Sequence, residues 1–135
     1  MGWMSLLRTS AGPRALEELE AALAGAWALG GQVPQAIRHQ MQIALAEIVA
    51  NIVEHGGARQ AAVNIEIQMS IGPGQVLARV CDDGVEVHVD LAGLSMPACL
   101  AERGRGLVMA QRALDTLFYQ RRAGLNHWLL ASRSF

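Results

Sequence analysis

The chain has 135 residues, 52% of them apolar, with a net charge of -1 and no lysine, so that all 11 basic residues are arginine. That length fits one domain with a core large enough to stand without disulfide staples, and the apolar fraction argues against a disordered tail. The balanced charge gives no footprint for general nucleic-acid binding and no polybasic patch for a membrane surface. Cys81 and Cys99 form no Cys-x-x-Cys pair, and no His pair has zinc spacing, so two free thiols and no zinc are expected, Cys81 as a small core residue. Met1 to Arg8 is too short for a signal peptide, and the most apolar window, Ile43 to Val53, carries Glu47 and Asn51 and is too short to span a bilayer. A soluble cytoplasmic protein is the expectation.

In chain order, Trp3 to Arg8 reads as a short edge strand, followed by a break at Ser10 to Pro13. Pro13 to Leu29 is a predicted helix, with Leu16, Leu19, Leu23 and Trp27 on one stripe and Gly30-Gly31 as its end. Pro34 opens a second helix running to about His55 and closed by Gly56-Gly57. From Ala62 to Ile71 the period changes to two: Val63, Ile65, Ile67, Met69 and Ile71 alternate with polar residues, as a half-buried strand requires. Gly72-Pro73-Gly74 turns the chain into a second strand, Gln75 to Cys81, making an antiparallel hairpin. Val85 to Arg103, with Pro97 inside it, reads as a loop. Gly106 to Leu117 is a third predicted helix, and Phe118 to Arg122 and His127 to Ser132 are closing strands joined at Gly124. Segregated helices and strands predict an α+β class: a two-layer sandwich with helices on one face of a mixed, mainly antiparallel sheet.

Three islands interrupt the apolar pattern. On the second helix Met41, Leu45, Ile48, Val49 and Ile52 form the main apolar stripe, and the far side (Ile43, Ala46, Ala50, Val53) is apolar too, so the helix is expected to be mostly buried. Glu47, Asn51 and His55 stand four apart along one line of it. A carboxylate and an amide on a buried helix need partners. Read as packing, Glu47 would cap or bridge something local, Asn51 would satisfy a strand, and His55 would close the helix against its negative end. The second island is Asp82-Asp83-Gly84, a turn signal after the hairpin in which Asp83 reads as a solvated turn residue. The third is Gly104-Arg105-Gly106-Leu107 before the third helix, where free backbone N–H groups and a nearby arginine suit a phosphate.

Taken in this order, the islands resemble the N, G1 and G2 boxes of the GHKL (Bergerat) ATP-binding fold. The short length and the Asn51-x-x-x-His55-Gly56 form resemble one branch, the bacterial anti-sigma-factor serine/threonine kinases. The resemblance spans roughly Leu16 to Leu130 and implies one ATP-binding domain over residues 1–135. It implies Glu47 as general base, Asn51 as a Mg²⁺ ligand, Asp82 as acceptor for the adenine amino group, and Gly84 as the glycine that lets the backbone approach the base. Gly104, Arg105, Gly106 and Leu107 are implied as the phosphate-side turn, and Val85 to Arg103 as a short lid over ATP. It also implies a sigma factor and a small STAS-type anti-sigma antagonist as partners, with the antagonist phosphorylated on serine. Homodimerisation is common in such proteins; Trp3, Leu6 and Leu7 would serve it, or serve the core.

Two departures stand out. Glu86 replaces the second glycine of Asp-x-Gly-x-Gly, with Val87 as the apolar residue often found next in the anti-sigma branch. Near the start of the last strand Asn126 and His127 stand where relatives often place a threonine. One alternative is a nucleotide-dependent binding switch without phosphotransfer. Another is a detached histidine-kinase domain, which Glu54 in place of the usual N-box lysine and the lack of a histidine in the first helix disfavour.

Overall fold

The computed structural model describes residues 2–30, 32–56, 62–86 and 102–135. Eight elements follow in order: β1 (Met4–Ser10), α1 (Ala15–Gly30), α2 (Gln35–Gly56), β2 (Asn64–Ile71), β3 (Val76–Asp82), α3 (Glu102–Ala113), β4 (Thr116–Arg122) and β5 (Leu125–Ala131). The strands form one sheet of order β1-β2-β3-β5-β4, and its pairings are all antiparallel. This is the expected α+β sandwich with β1 at an edge, except that the sheet is antiparallel throughout the described residues where a mixed one was expected.

The period-two pattern builds the core directly. Ile65, Ile67 and Met69 on β2, Val76, Ala78 and Val80 on β3, and Trp128 and Leu130 on β5 are buried and pack with Leu19 and Leu23 of α1 and Met41, Leu45, Ile48, Val49 and Ile52 of α2. Burying a side chain of this size is worth about 1.5–3 kcal/mol, which makes this shared layer the main source of stability. The far side of α2 is less enclosed than its composition suggests: Ile43 is exposed and Ala46, Ala50 and Val53 are half-buried. Likewise α1 buries Ala15, Leu19, Leu23 and Ala26, while Leu16 is exposed and Trp27 half-buried. Both shifts have one cause, since a helix at the edge of a two-layer sandwich needs only one covered face.

Cys81 departs from the core expectation. It lies on the outward row of β3, half-buried and free. Cys99 lies outside the described residues. Leu6 and Leu7 pack on the core, whereas Trp3 is partly exposed, with the Arg79 guanidinium 3.9 Å above its ring.

The third helix differs most from expectation. It begins at Glu102, not Gly106, and ends at Ala113, not Leu117. Leu107, Ala110 and Leu114 do face the core, but Leu117 is the first inward residue of β4. Helical spacing simply ran on across the turn at Leu114-Asp115. The Arg133 guanidinium donates to the Arg112 carbonyl at 2.7 Å, capping the carbonyl end of α3. The final hairpin turns through only Ala123 (φ 54°) and Gly124 (φ 77°), so β5 begins at Leu125 and includes Asn126.

Candidate functional site

The expected site residues come from both layers. Glu47 and Asn51 lie one turn apart on α2, both half-buried. Glu47 reaches across to α3. A Cβ built on Gly106 would overlap the Glu47 carboxylate and lie 3.1 Å from its Cγ. A side chain there would force the Glu47 carboxylate, the end of a flexible side chain, to move, so Gly106 is a close-approach glycine. Gly106 itself is buried, as is Leu107, which joins the core.

The glycine pair does not precede the helix, as its turn chemistry suggested, but lies within it. Gly104 falls in the first turn of α3, where backbone N–H groups have no intrahelical acceptor, and Gly106 falls in the second. The side chains of His55 and Arg105 lie outside what is described, as do Val87 and most of the expected lid, residues 87–101.

Asp82 stands at the end of β3. The register runs Thr9, Ile65, Asp82, Asn126 and Arg121 in one row across the five strands, on the helix-facing side. Asp82 is 2% exposed. Its Oδ1 accepts from the Gly84 backbone N–H at 2.9 Å and from Asn126 Nδ2 at 2.9 Å. Its Oδ2 is buried with no hydrogen-bond partner among the described residues. Burial raises the carboxyl above its ordinary value and the neighbouring Asp83 adds to this, while Asn126, the Gly84 N–H and Arg121 act against it. Gly84 is tightly seated: a Cβ there would lie 3.0 Å from Asp82 Oδ1 and 3.3 Å from Val63 Cγ1.

Asp83 is exposed, as a turn residue would be, but it is tied down. The Asn64 backbone N–H donates to its Oδ1 at 2.7 Å and Asn64 Nδ2 to its Oδ2 at 3.0 Å. The pair clamps the end of β3 to the start of β2 and so fixes where Asp82 points. A hollow of about 580 Å³ borders Asp82 and Asp83, but it is lined by Arg8, Glu66 and Cys81 of the outward row and so opens away from the helices. The Glu47–Gly106 contact is on the other face.

Three more polar residues meet here: Tyr119 and Arg121, which no motif marks, and Asn126, marked in the sequence as standing where relatives often place a threonine. Arg121 Nη1 donates to the Gly84 carbonyl at 2.7 Å, and all three join the network around Asp82. For Tyr119 and Arg121 the signal available was only the strand alternation of β4 and β5, which places Tyr119, Arg121, Asn126 and Trp128 on the inward side.

The fit of an adenine nucleotide can be judged from these groups. A buried carboxylate oxygen without a donor suits an exocyclic amine, and the first turn of α3 offers N–H groups to an anion. Glu47 and Asn51 supply oxygens one helical turn apart, the hard donor type that Mg²⁺ prefers. Both fit.

The profile of the histidine kinase-like ATPase domain family matches residues 9–131 of the chain. No curated protein matches its sequence significantly. Among solved structures it is similar to the RsbU and RsbW domains of Rv1364c from Mycobacterium tuberculosis, with TM-score 0.69 and 20% identity, over 99% of this chain and 32% of that one. It is also similar to the histidine kinase domain of the blue-light activated histidine kinase EL346 from Erythrobacter litoralis, with TM-score 0.60 and 15% identity, over 87% of this chain and 59% of that one. The chain thus spans about a third of the first and about three-fifths of the second.

Proposed function

The chain belongs to the histidine kinase-like ATPase domain family, and from that premise we propose that it is an ATP-dependent serine/threonine protein kinase of a partner-switching module. In this reading it holds a sigma factor inactive in the cytoplasm, works as a homodimer, and phosphorylates a serine on a small STAS-type antagonist. The observation that carries the reading is the seat of Glu47 against Gly106, which sets a carboxylate beside the start of the helix proposed to face the phosphates.

The residues divide the work. Asp82 accepts the adenine amine through Oδ2, and Gly84, where a Cβ would crowd Asp82 Oδ1, lets the backbone approach the base. The backbone of Gly104, Arg105 and Gly106, with Leu107 anchoring the helix in the core, holds the phosphates at the positive end of α3. Glu47 takes the proton of the incoming serine hydroxyl. Phosphoryl transfer asks mainly for placement and charge neutralisation, and a base one turn from a metal ligand meets that requirement. When bound, Mg²⁺ neutralises phosphate charge, and Asn51 is the residue proposed to hold it. Serine as the acceptor is supported by the Asn51-x-x-x-His55-Gly56 form and by Glu54 in the place of the histidine-kinase lysine.

The test is incubation with γ-labelled ATP and a STAS-type antagonist, comparing wild type with Glu47→Ala. Labelled phosphoserine from wild type, and loss of transfer with near-normal ATP affinity in the variant, is the expected result. ATP binding without any transfer would favour the second reading, a nucleotide-dependent binding switch, for which Glu86 in place of the usual second glycine is the supporting feature.

A further inference from the structure

Asn126 is 1% exposed and sits directly opposite Asp82 on one side and Arg121 on the other. Its Nδ2 donates to Asp82 Oδ1 at 2.9 Å and to the Val85 carbonyl at 2.8 Å. Its Oδ1 accepts from the Tyr119 hydroxyl and from Arg121 Nη1, the latter at 3.1 Å. These partners determine which way the amide faces. Turned by 180°, it would set its NH₂ against the Arg121 guanidinium and its oxygen against the Asp82 carboxylate, pairing donor with donor and acceptor with acceptor. Asn126 is therefore a donor toward Asp82.

The effect on Asp82 is specific. Oδ1 carries two donors, Asn126 and the Gly84 N–H, so the carboxylate plane is fixed by two separate elements, β5 and the turn after β3. Oδ2 is left as a buried acceptor with no partner of its own among the described residues. The second Nδ2 bond, to Val85, holds the chain leaving the turn. Arg121 ties the same turn from β4 through the Gly84 carbonyl.

We propose that Asn126 is the positioning residue that sets base specificity, holding Asp82 so that Oδ2 alone is presented to a purine with an amino group at C6. The assignment rests on the nucleotide-binding reading above. Such an amine places a donor on Oδ2. A C6 carbonyl would place lone pair against lone pair, and an unsubstituted C6 would leave the buried oxygen unmet. Serving as donor to both Asp82 and Val85 takes two N–H bonds from one side chain, which an amide supplies and a hydroxyl does not.

The test compares ATP with purine riboside triphosphate, which lacks only the C6 amine, by calorimetric titration of the full chain. Wild type should favour ATP by at least about tenfold, as expected for a hydrogen bond to a charged acceptor. Asn126→Ala should lower ATP affinity by about that factor and leave the analogue nearly unchanged, so that the ratio falls to within about twofold. Asn126→Leu keeps a similar side-chain volume, removes the donor, and should lose the ratio as well. It serves as the second variant if the alanine chain does not fold. Wild-type discrimination with undiminished ratios in a folded variant overturns the role of Asn126 alone. Equal loss of both ligands marks a purely structural residue and also overturns it. Wild type that binds neither ligand overturns the nucleotide reading, and this assignment with it.

Discussion

At the scale of single residues, the closest constraint is the contact between Glu47 and Gly106. One is a carboxylate on α2 and the other is backbone on α3, and a Cβ at the second position would overlap the carboxylate where it now lies. Gly106→Ala adds one methyl group, which must push either the carboxylate or the start of α3. Because the carboxylate ends a flexible, half-buried side chain and can swing aside, the cost should fall at or below the low end of the ~1–3 kcal/mol of overpacking, and the variant should fold. Its effect on chemistry should be larger, because a displacement of about 1 Å at a reacting group costs about 10²-fold in rate. Asp82 is outside the disturbed contact, so base preference should survive. Measuring transfer rate and ATP affinity on the same preparation separates the two. A rate within about twofold of wild type would show that the seat of Glu47 has no bearing on transfer.

At the scale of elements, the β4–β5 hairpin carries an avoidable cost. Its two-residue turn holds both Ala123 and Gly124 in the left-handed region, the geometry that matches strand twist. Glycine adopts it freely, while alanine is disfavoured there by about 1 kcal/mol. Ala123→Asn should therefore raise unfolding free energy by about 0.5–1 kcal/mol in denaturant titration. No gain would mean that the turn is held by its strands regardless of the residue. α1, α2 and the β2–β3 hairpin are legible because periodicity and Gly/Pro punctuation are local properties. The three islands are legible because carboxylates, amides and glycines are conspicuous in an apolar chain. Asn126 is marked only as a departure from the family's threonine, and its partners are not legible, since they come from lying opposite Asp82, 44 positions earlier, in the non-local β3–β5 pairing. The start of α3 was hidden for a related reason: Gly104 and Gly106 are poor helix formers, yet they sit inside the helix. The close approach of Glu47 explains this at Gly106.

At the scale of the whole molecule, the site and the fold oppose each other at Asp82. The fold pushes its carboxyl above the ordinary range, chiefly by burial and further by Asp83, with Asn126, the Gly84 N–H and Arg121 opposing. In the unfolded chain the same group titrates at its ordinary value. Between the two, the native state keeps a proton that the unfolded chain has released. Stability from this group is thus highest below the unfolded value, falls as pH rises through the window, and stays reduced above the folded value. Asp82→Asn removes the titration. The variant should gain on wild type as pH rises through that window, and hold a constant advantage beyond it. ATP should act in the other direction, because a ligand at about 100 times its Kd adds about 2.7 kcal/mol to the form that binds it. At a fixed ATP concentration that stabilises wild type, the variant should be stabilised less, having lost the acceptor proposed for the amine. Denaturant unfolding from about pH 3 to about pH 8, with and without Mg-ATP, tests both limbs. Trp128, 1% exposed and packed on Tyr119, supplies the fluorescence signal. A stability difference that does not change with pH would assign the titration to another group. Equal stabilisation of both proteins by ATP would place the base away from Asp82, while the expected pair of results would show one carboxylate trading fold stability for recognition.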